Sequence, residues 1–386
     1  MRNWNSALLR EGMPQDLLAI AAAIIAKADK NNPADAVLRQ ELRAAHSLGR
    51  AEAGDVSRMV FAYYRWFGWL DQRHPVTGQL KRAIDLDTGY AERPESFSDE
   101  KLVERSVPAW THEQVEISSP WIRSLQSQPK MWLRAHHGLG PELAKKLRSA
   151  KARSVPDAVL YLKEEDLFRT PEFHAGEFEI QDIASQVVGL LCAPKPGETW
   201  WDACAGEGGK TLHLSDLMQN KGLIWASDRA EWRLKRLKLR AARSKCFNYR
   251  SVFWDGGEKL PTKTKFDGVL VDAPCSGVGT WQRNPHARWT TTPEDVRELG
   301  EVQKRLLLRV SRSLKPGGRL IYAVCTLTRS ETTEVAEVVT KELADLEPLP
   351  LPDLVHPKNA AAPVRWIWPQ ELDGNGMFIA GWRKRS

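Results

Sequence analysis

The residues best suited to chemistry are two cysteines that stand at matching places in the chain. Cys275 follows the apolar run 266–271 and the tripeptide Asp272-Ala273-Pro274, and Cys325 follows directly on the run 319–324. Both runs have the composition of buried strands. Side by side in a parallel sheet, their ends would lie roughly 5 Å apart. Both thiols would then face the crevice outside the carboxyl ends of the strands, where such sheets bind ligands. A single buried cysteine is usually only a small hydrophobe, but a pair at two adjacent strand exits points to nucleophilic chemistry. A thiolate adding to carbon 6 of a cytosine makes carbon 5 electron-rich enough to accept a methyl group, and loss of the carbon 5 proton then expels the sulfur. Such a step needs positive charge beside the attacking thiol, which Lys210 and the loop 283–288 can provide. It also needs an acid to deliver a proton to N3, which suits Asp272. The residues themselves leave open which thiol attacks.

A methyl donor needs a binding turn, and the segment Asp202-Ala203-Cys204-Ala205-Gly206-Glu207-Gly208-Gly209-Lys210-Thr211 has the form of one. Glycines let the backbone bend and approach a ligand closely, and the next helix aims its first amides at that ligand. The Gly-Lys-Thr ending suggests a nucleoside triphosphate loop, but that motif requires glycine six residues before the lysine, where Cys204 stands. The better fit is an acid-x-x-x-Gly-x-Gly turn for S-adenosylmethionine. Asp228 closes the next strand and can accept from both ribose hydroxyls. Asp255 closes the third, near where an adenine amino group would lie. After Cys275 the loop interleaves aromatic and basic residues, and Arg283, His286, Arg288 and Trp289 suit single-stranded RNA, by stacking and by phosphate contact. The segment 229–245 carries eight Lys and Arg against one acid, Glu231; it could line an RNA path or simply be a solvated helix face.

These residues must be positioned by alternating strands and helices. Strand candidates are 199–203, 222–227, 247–252, 266–271 and 319–324, with helices over 210–219, 230–243 and 293–314, which together imply a doubly wound parallel sheet. Ahead of it, 128–190 has the pattern of a small α/β lead-in, with strands at 131–134 and 158–162 and a helix at 141–149. Residues 13–73 have helical spacing, as in Leu17, Leu18, Ala21, Ile24 and Ile25, and in Met59, Val60, Tyr63, Tyr64 and Phe67. The expected organisation is therefore a helical domain over 1–127, the lead-in over 128–190, and the catalytic domain over 191–386. The net charge of +7 over 386 residues lies mostly in the C-terminal two-thirds, which suits a nucleic-acid partner and equally a simple solubility device. Five scattered cysteines with no Cys-x-x-Cys pair argue against both a disulfide scaffold and zinc; the expectation is a reducing, cytoplasmic setting and no metal. The longest apolar run, 17–26, is too short to span a bilayer, and Glu11 and Asp16 ahead of it are unlike a secretory signal.

The motif set resembles the Sun/Fmu and NOL1/NOP2 family of RNA (cytosine-5)-methyltransferases. The resemblance rests on CAGEGGKT at 204–211, Asp228 with Arg233, Asp255, DAPCSG at 272–277, LKPGGRLIYAVCT at 314–326 and DGNGMFIA at 373–380. It extends to GEFEIQDIASQ at 176–186, while VFAYYRWFGWLD at 60–71 resembles a NusB-like RNA-binding domain, a pairing typical of the bacterial small-subunit ribosomal RNA enzyme. The resemblance implies a Rossmann-like class I methyltransferase fold, with Cys325 as nucleophile, Cys275 assisting product release, and Asp272 and Lys210 on the target cytosine. It also implies S-adenosylmethionine held by residues 204–210, Asp228, Arg233, Asp255 and Asp272, and ribosomal RNA as the substrate, with transfer RNA as the alternative; a monomer is expected. Three departures stand out: Glu207 where the family has proline, Arg329 and Thr332 where it has proline and asparagine, and no asparagine shortly after Leu133-Arg134. Two other readings compete. A DNA cytosine methyltransferase would need a large recognition insertion that the strands do not leave room for, and an RNA-binding assembly factor would need neither thiol.

Overall fold

Three of the first four helices follow a proline. The computed structural model describes residues 14–45, 48–152, 154–163 and 165–386; Glu11 and the expected helix start at Met13 lie outside them. The chain divides into two compact units. The first holds α1 (Gln15–Lys27), α2 (Ala34–Ala44), α3 (Arg50–Arg65), α4 (Val76–Glu92), α5 (Asp99–Arg105), α6 (Thr111–Gln114) and α7 (Ser119–Gln126). Pro14, Pro33 and Pro75 precede α1, α2 and α4, where a fixed φ and a missing N–H cost a helix nothing. The periodic residues of α1 and α3 are buried, Leu17, Ala21 and Ile24 from one and Val56, Met59 and Tyr63 from the other.

The segment Thr280–Pro293 also belongs to this helical unit, and its short helix Pro285–Thr290 differs from the RNA-contacting loop expected. Arg288 is wholly buried. Its Nη1 donates to the carbonyls of Arg65 at 3.3 Å and Ser106 at 3.0 Å, and its Nη2 to those of Leu125 at 3.0 Å and Trp281 at 3.4 Å. A guanidinium has five donors in a fixed fork, and here it satisfies helix-end carbonyls that the helices cannot satisfy themselves. Burial pushes Arg288 down to about 9, so it remains charged at neutral pH. His286 is buried edge-on to Tyr64, with ring centres 4.6 Å apart. Trp289 donates its indole N–H to the Tyr64 carbonyl at 2.7 Å. Of the four residues expected to face RNA, three are thus engaged within the protein; Arg283 is half-buried.

The second unit, Lys130–Gly279 with Glu294–Ser386, joins the lead-in and the catalytic sheet, which were expected as separate domains. The lead-in holds β1 (Met131–Ala135), α8 (Gly140–Lys146), β2 (Ala150–Lys151), β3 (Ala158–Tyr161), α9 (Pro171–His174), β4 (Phe178–Ile180) and α10 (Ile183–Cys192). Its sheet has the order β2-β3-β1-β4, all antiparallel. The main sheet comes next, with β5 (Thr199–Asp202), α11 (Gly209–Leu217), β6 (Leu223–Asp228), α12 (Glu231–Arg243), β7 (Tyr249–Phe253), β8 (Phe266–Asp272), α13 (Pro293–Val310), β9 (Leu314–Val324), α14 (Thr333–Glu342), β10 (Leu346–Pro348), β11 (Val364–Ile367) and β12 (Met377–Lys384).

The order is β10-β12-β9-β8-β5-β6-β7, with β11 also on β12. Strands β5 to β9 pair in parallel and β12 runs antiparallel to β9. Strand order reverses at β5, so the crevice outside its carboxyl end is the binding position of such a sheet. Successive residues of β5 enter different cores, Trp200 one and Trp201 the other, as a strand covered on both faces requires. Trp132, Val155 and Ala158 share the first core with Leu191 and Leu270, which explains why the lead-in is not a separate body. The helix expected over 293–314 stops at Val310, because Leu314 already pairs with Phe266 and Pro316-Gly317-Gly318 cannot continue a helix. Among the described residues no helix is long and apolar enough to cross a membrane.

Arg288→Ala should lower the stability of the helical unit by about 3 kcal/mol or more, because it leaves several buried carbonyls unsatisfied. Arg288→Lys should recover only part of this, lacking the fork. Urea unfolding followed by tryptophan fluorescence reads both; an unchanged midpoint for Arg288→Ala would contradict the assignment.

Candidate active site

The turn after β5 is built by two glycines in the left-handed region, Gly206 at φ +55° and Gly208 at φ +87°. At Gly208 a Cβ would also stand 2.7 Å from the Leu237 side chain of α12. The turn is stitched to the end of β6. The Ala205 amide donates to the Ser227 carbonyl at 2.8 Å, and the Gly206 amide donates to Asp228 Oδ2 at 2.9 Å. Asp228 Oδ1 accepts from the Ala230 amide at 2.8 Å. Glu207 turns toward α12: Arg236 lies 3.6 Å from its carboxylate and Arg240 donates to its carbonyl at 3.1 Å. The departure from proline there is thus compensated by the basic helix.

Beneath the turn, Asp202 is fully buried. Its Oδ2 accepts from Thr211 Oγ1 at 2.7 Å, while Oδ1 has no partner. Burial raises this carboxyl to about 7, against the smaller opposing effect of Thr211. A Cβ at Gly206 or Gly209 would meet nothing within 4 Å. An open glycine turn, an acid at the next strand end and an orphaned buried oxygen below it fit a nucleoside-type cofactor with a positively charged centre. Asp255, in contrast, is exposed and accepts the Gly257 amide at 2.7 Å in a local turn. Arg233 does not join the turn: it is exposed on α12 with its guanidinium 5.4 Å from the centre of the Trp232 ring. Cys204 is half-buried, and desolvation raises its thiol far above the ordinary range.

Strands β8 and β9 are neighbours, with Asp272 opposite Ala323, and their exits bring the other residues together. Cys275 Sγ lies 3.3 Å from Cys325 Sγ. Lys210, from the first turn of α11, donates to Asp272 Oδ2 at 2.6 Å. Burial alone would lower the Lys210 ammonium, but the Asp272 carboxylate it meets outweighs that and raises it. Hydrogen bonding to Cys325 and burial raise Cys275 well above the ordinary thiol value, so Cys275 holds its proton.

Glu331 ties the two exit loops together. Its buried carboxylate accepts from the Ser276 amide at 2.8 Å and Thr328 Oγ1 at 2.8 Å. It also accepts from Gln303 Nε2 at 3.0 Å, Thr326 Oγ1 at 3.2 Å and the Ser276 hydroxyl. Gln303 donates on to the Pro274 carbonyl at 2.9 Å, and Tyr322 donates to the Glu331 carbonyl at 2.6 Å. None of Glu331, Gln303 and Tyr322 was expected to hold the exit loops together. The run of hydroxyls from Thr326 to Thr333 around an acid was the available signal. Thr332 replaces asparagine and donates to the Thr328 carbonyl at 2.7 Å, and Arg329 pairs with Glu334 at 3.1 Å on the surface.

The family model of the 16S rRNA methyltransferase RsmB/F proteins matches residues 189–383. The chain belongs to the RsmB/F family. Ribosomal RNA small subunit methyltransferase B of Shewanella oneidensis is 30% identical over 303 residues, 73% of this chain and 68% of the relative. The protein named "Probable ribosomal RNA small subunit methyltransferase B" of Bacillus subtilis is 36% identical over 238 residues, 60% of this chain. The chain spans 53% and 49% of the first two curated relatives, so about half their length. Among solved structures, PH0851 matches with a TM-score of 0.79 at 22% identity, covering 97% of this chain and 99% of its own, a likeness of fold. A methyltransferase homolog protein from Pyrococcus horikoshii matches with a TM-score of 0.58 at 29% identity, covering 69% of this chain and 90% of its own. S-adenosylmethionine is the cofactor of an RsmB/F methyltransferase, and the glycine turn is of the kind that holds it.

The raised Asp202 carboxyl gives a pH test. A carboxyl whose folded pKa lies above its unfolded 3.8 costs nothing below 3.8. It destabilises progressively as pH rises through about 7 and levels off above it. The full cost is about 4 kcal/mol by linkage. Asp202→Asn should therefore gain stability over wild type between pH 5 and pH 8, read from urea midpoints. A constant difference across that range would overturn the assignment.

Proposed function

We propose that this chain is an S-adenosylmethionine-dependent RNA (cytosine-5)-methyltransferase that acts on ribosomal RNA in the cytoplasm through a covalent adduct at carbon 6. The observation that carries this reading is the pair of thiols 3.3 Å apart at the exits of two parallel strands, beside the Lys210–Asp272 pair at 2.6 Å. Residues 204–210 and Asp228 hold the cofactor, with Asp272 at its edge. Bound there, S-adenosylmethionine supplies an electrophilic methyl group.

Cys325 is the nucleophile. Burial and the contact with Cys325 raise the Cys275 thiol, which suits Cys275 to the part of proton donor rather than attacker. Lys210 adds positive charge nearby. The Cys325 sulfur adds to carbon 6, the ring electrons move toward N3, and Asp272 with Lys210 serves that nitrogen as proton source. After carbon 5 has been methylated it gives its proton to a water, that C–H electron pair re-forms the C5–C6 double bond, N3 returns its proton to Asp272, and the S–C6 bond breaks. The Cys275 thiol then donates to the departing thiolate, stabilising the leaving group. Glu331 keeps the two sulfurs at this separation by fixing both loops.

Transfer of tritium from methyl-labelled cofactor to ribosomal RNA from cells lacking the modification tests the activity. Cys325→Ala should abolish transfer and any denaturant-stable protein–RNA adduct. Cys275→Ala should accumulate the adduct, seen as a band shifted on a denaturing gel and removed by ribonuclease. The reverse pattern would exchange the two roles; no label with wild type would leave an RNA-binding assembly role.

A further inference from the structure

The methyl-transfer site uses the turn before α11 and the exits of β8 and β9. It leaves unused the outer face of α12, a helix with six Lys and Arg against one acid. Part of that charge is structural. Arg240 and Arg243 reach back to the buried carboxylate of Glu179 in β4, at 2.7 and 2.5 Å, and Arg236 lies 3.6 Å from Glu207. The remaining cations of α12, Arg233, Lys235 and Lys238, are exposed and take no ion-pair partner among the described residues.

In the middle of these charges stands an aromatic ring. Trp232 is 55% exposed, although burying such a side chain would be favourable. The guanidinium carbons of Arg233 and Arg236 lie 5.4 and 5.7 Å from its centre, within cation–π range. An exposed ring held between arginines on a basic helix is the arrangement that stacks an unpaired base and contacts its flanking phosphates. An acidic bilayer surface is the less favoured partner. A membrane-lying helix needs a broad apolar face free, whereas α12 buries Leu234, Leu237 and Ala241 in the protein core and exposes only Trp232 and Leu239 among its cations.

We infer that the outer face of α12 is a second RNA-binding surface, in which Trp232 stacks on a base flanking the target cytidine and Arg233, Lys235 and Lys238 contact its phosphates. This deepens the RNA-methyltransferase reading and rests on it. The path has a physical origin beside the cofactor turn, because Arg236 and Arg240 of the same helix hold Glu207 there.

The test uses the full chain and a fluorescent single-stranded RNA fragment of the small ribosomal subunit, with anisotropy titrations at several salt concentrations. Trp232→Ala should weaken binding about tenfold, within the range for loss of one stacked base, and Trp232→Phe should keep most of it. Lys235→Ala with Lys238→Ala should lower the slope of log K against log salt by about 1.4, two single-strand phosphate contacts. Cofactor binding, followed by calorimetry, and kcat at saturating RNA should stay at the wild-type values, while KM for RNA rises. Binding and salt slope equal to wild type in both variants would overturn the surface even if label transfer is normal. Failure of label transfer in wild type, with the binding losses as expected, would instead remove the enzymatic reading and leave the surface standing. Sedimentation of wild type with phosphatidylglycerol vesicles, lost in Trp232→Ala while RNA affinity is kept, would also overturn it in favour of lipid.

Discussion

Two sulfurs meet at 3.3 Å because β8 and β9 run parallel in register and their exit loops share one buried carboxylate. A parallel ladder sets strand ends side by side but does not aim the loops beyond them. Glu331 does that. A buried carboxylate is tolerable only when its lone pairs are filled, and here donors from both loops and from Gln303 of α13 fill them. The loops can therefore not shift independently without leaving a charged oxygen unsatisfied. The separation of the thiols is in this sense held by an electrostatic demand that lies outside the reacting groups.

Charge elsewhere in the catalytic unit obeys the same rule. Lys210 is buried against Asp272, Glu179 is buried against two arginines of α12, and Arg134 is buried against Asp216 at 2.9 Å and Gln181 at 2.8 Å. Each pair fastens one element to another: α11 to β8, β4 to α12, and β1 to α11. The lead-in is bound to the Rossmann-like sheet by these pairs as well as by the shared core around Trp132 and Leu270. Asp202 departs from the pattern, with one oxygen left bare under the glycine turn.

The sheet was legible because each of its signals is local. Glycines that need positive φ, an acid at each strand end and apolar runs of strand length declare themselves within ten residues, and β5, β6 and β8 fall within a residue or two of the expected spans. The segment after Cys275 was not legible. Arginine and tryptophan alternating with polar residues look alike in a chain whether they face a nucleic acid or fill a cavity, and the deciding factor is the supply of bare carbonyls from Arg65, Ser106 and Leu125, far away in sequence. The link between the lead-in and the sheet was hidden for a related reason. The shared core of residues 132 and 270 is a long-range fact, invisible to a composition shift near residue 190. The sixteen tryptophans, without evident motive in the sequence, include six of the largest fully buried side chains.

The return of Thr280–Pro293 to the helical unit has a consequence for biosynthesis. A chain made from its N-terminus onward releases α1 to α7 well before residue 288 exists. Until then the carbonyls that Arg288 will cap can be met only by water, so the helical bundle must wait in an incompletely closed form. The same stretch of polypeptide also carries the loop that starts at Cys275. Completion of the bundle and ordering of the chain beyond that thiol are thus two outcomes of a single late event in translation.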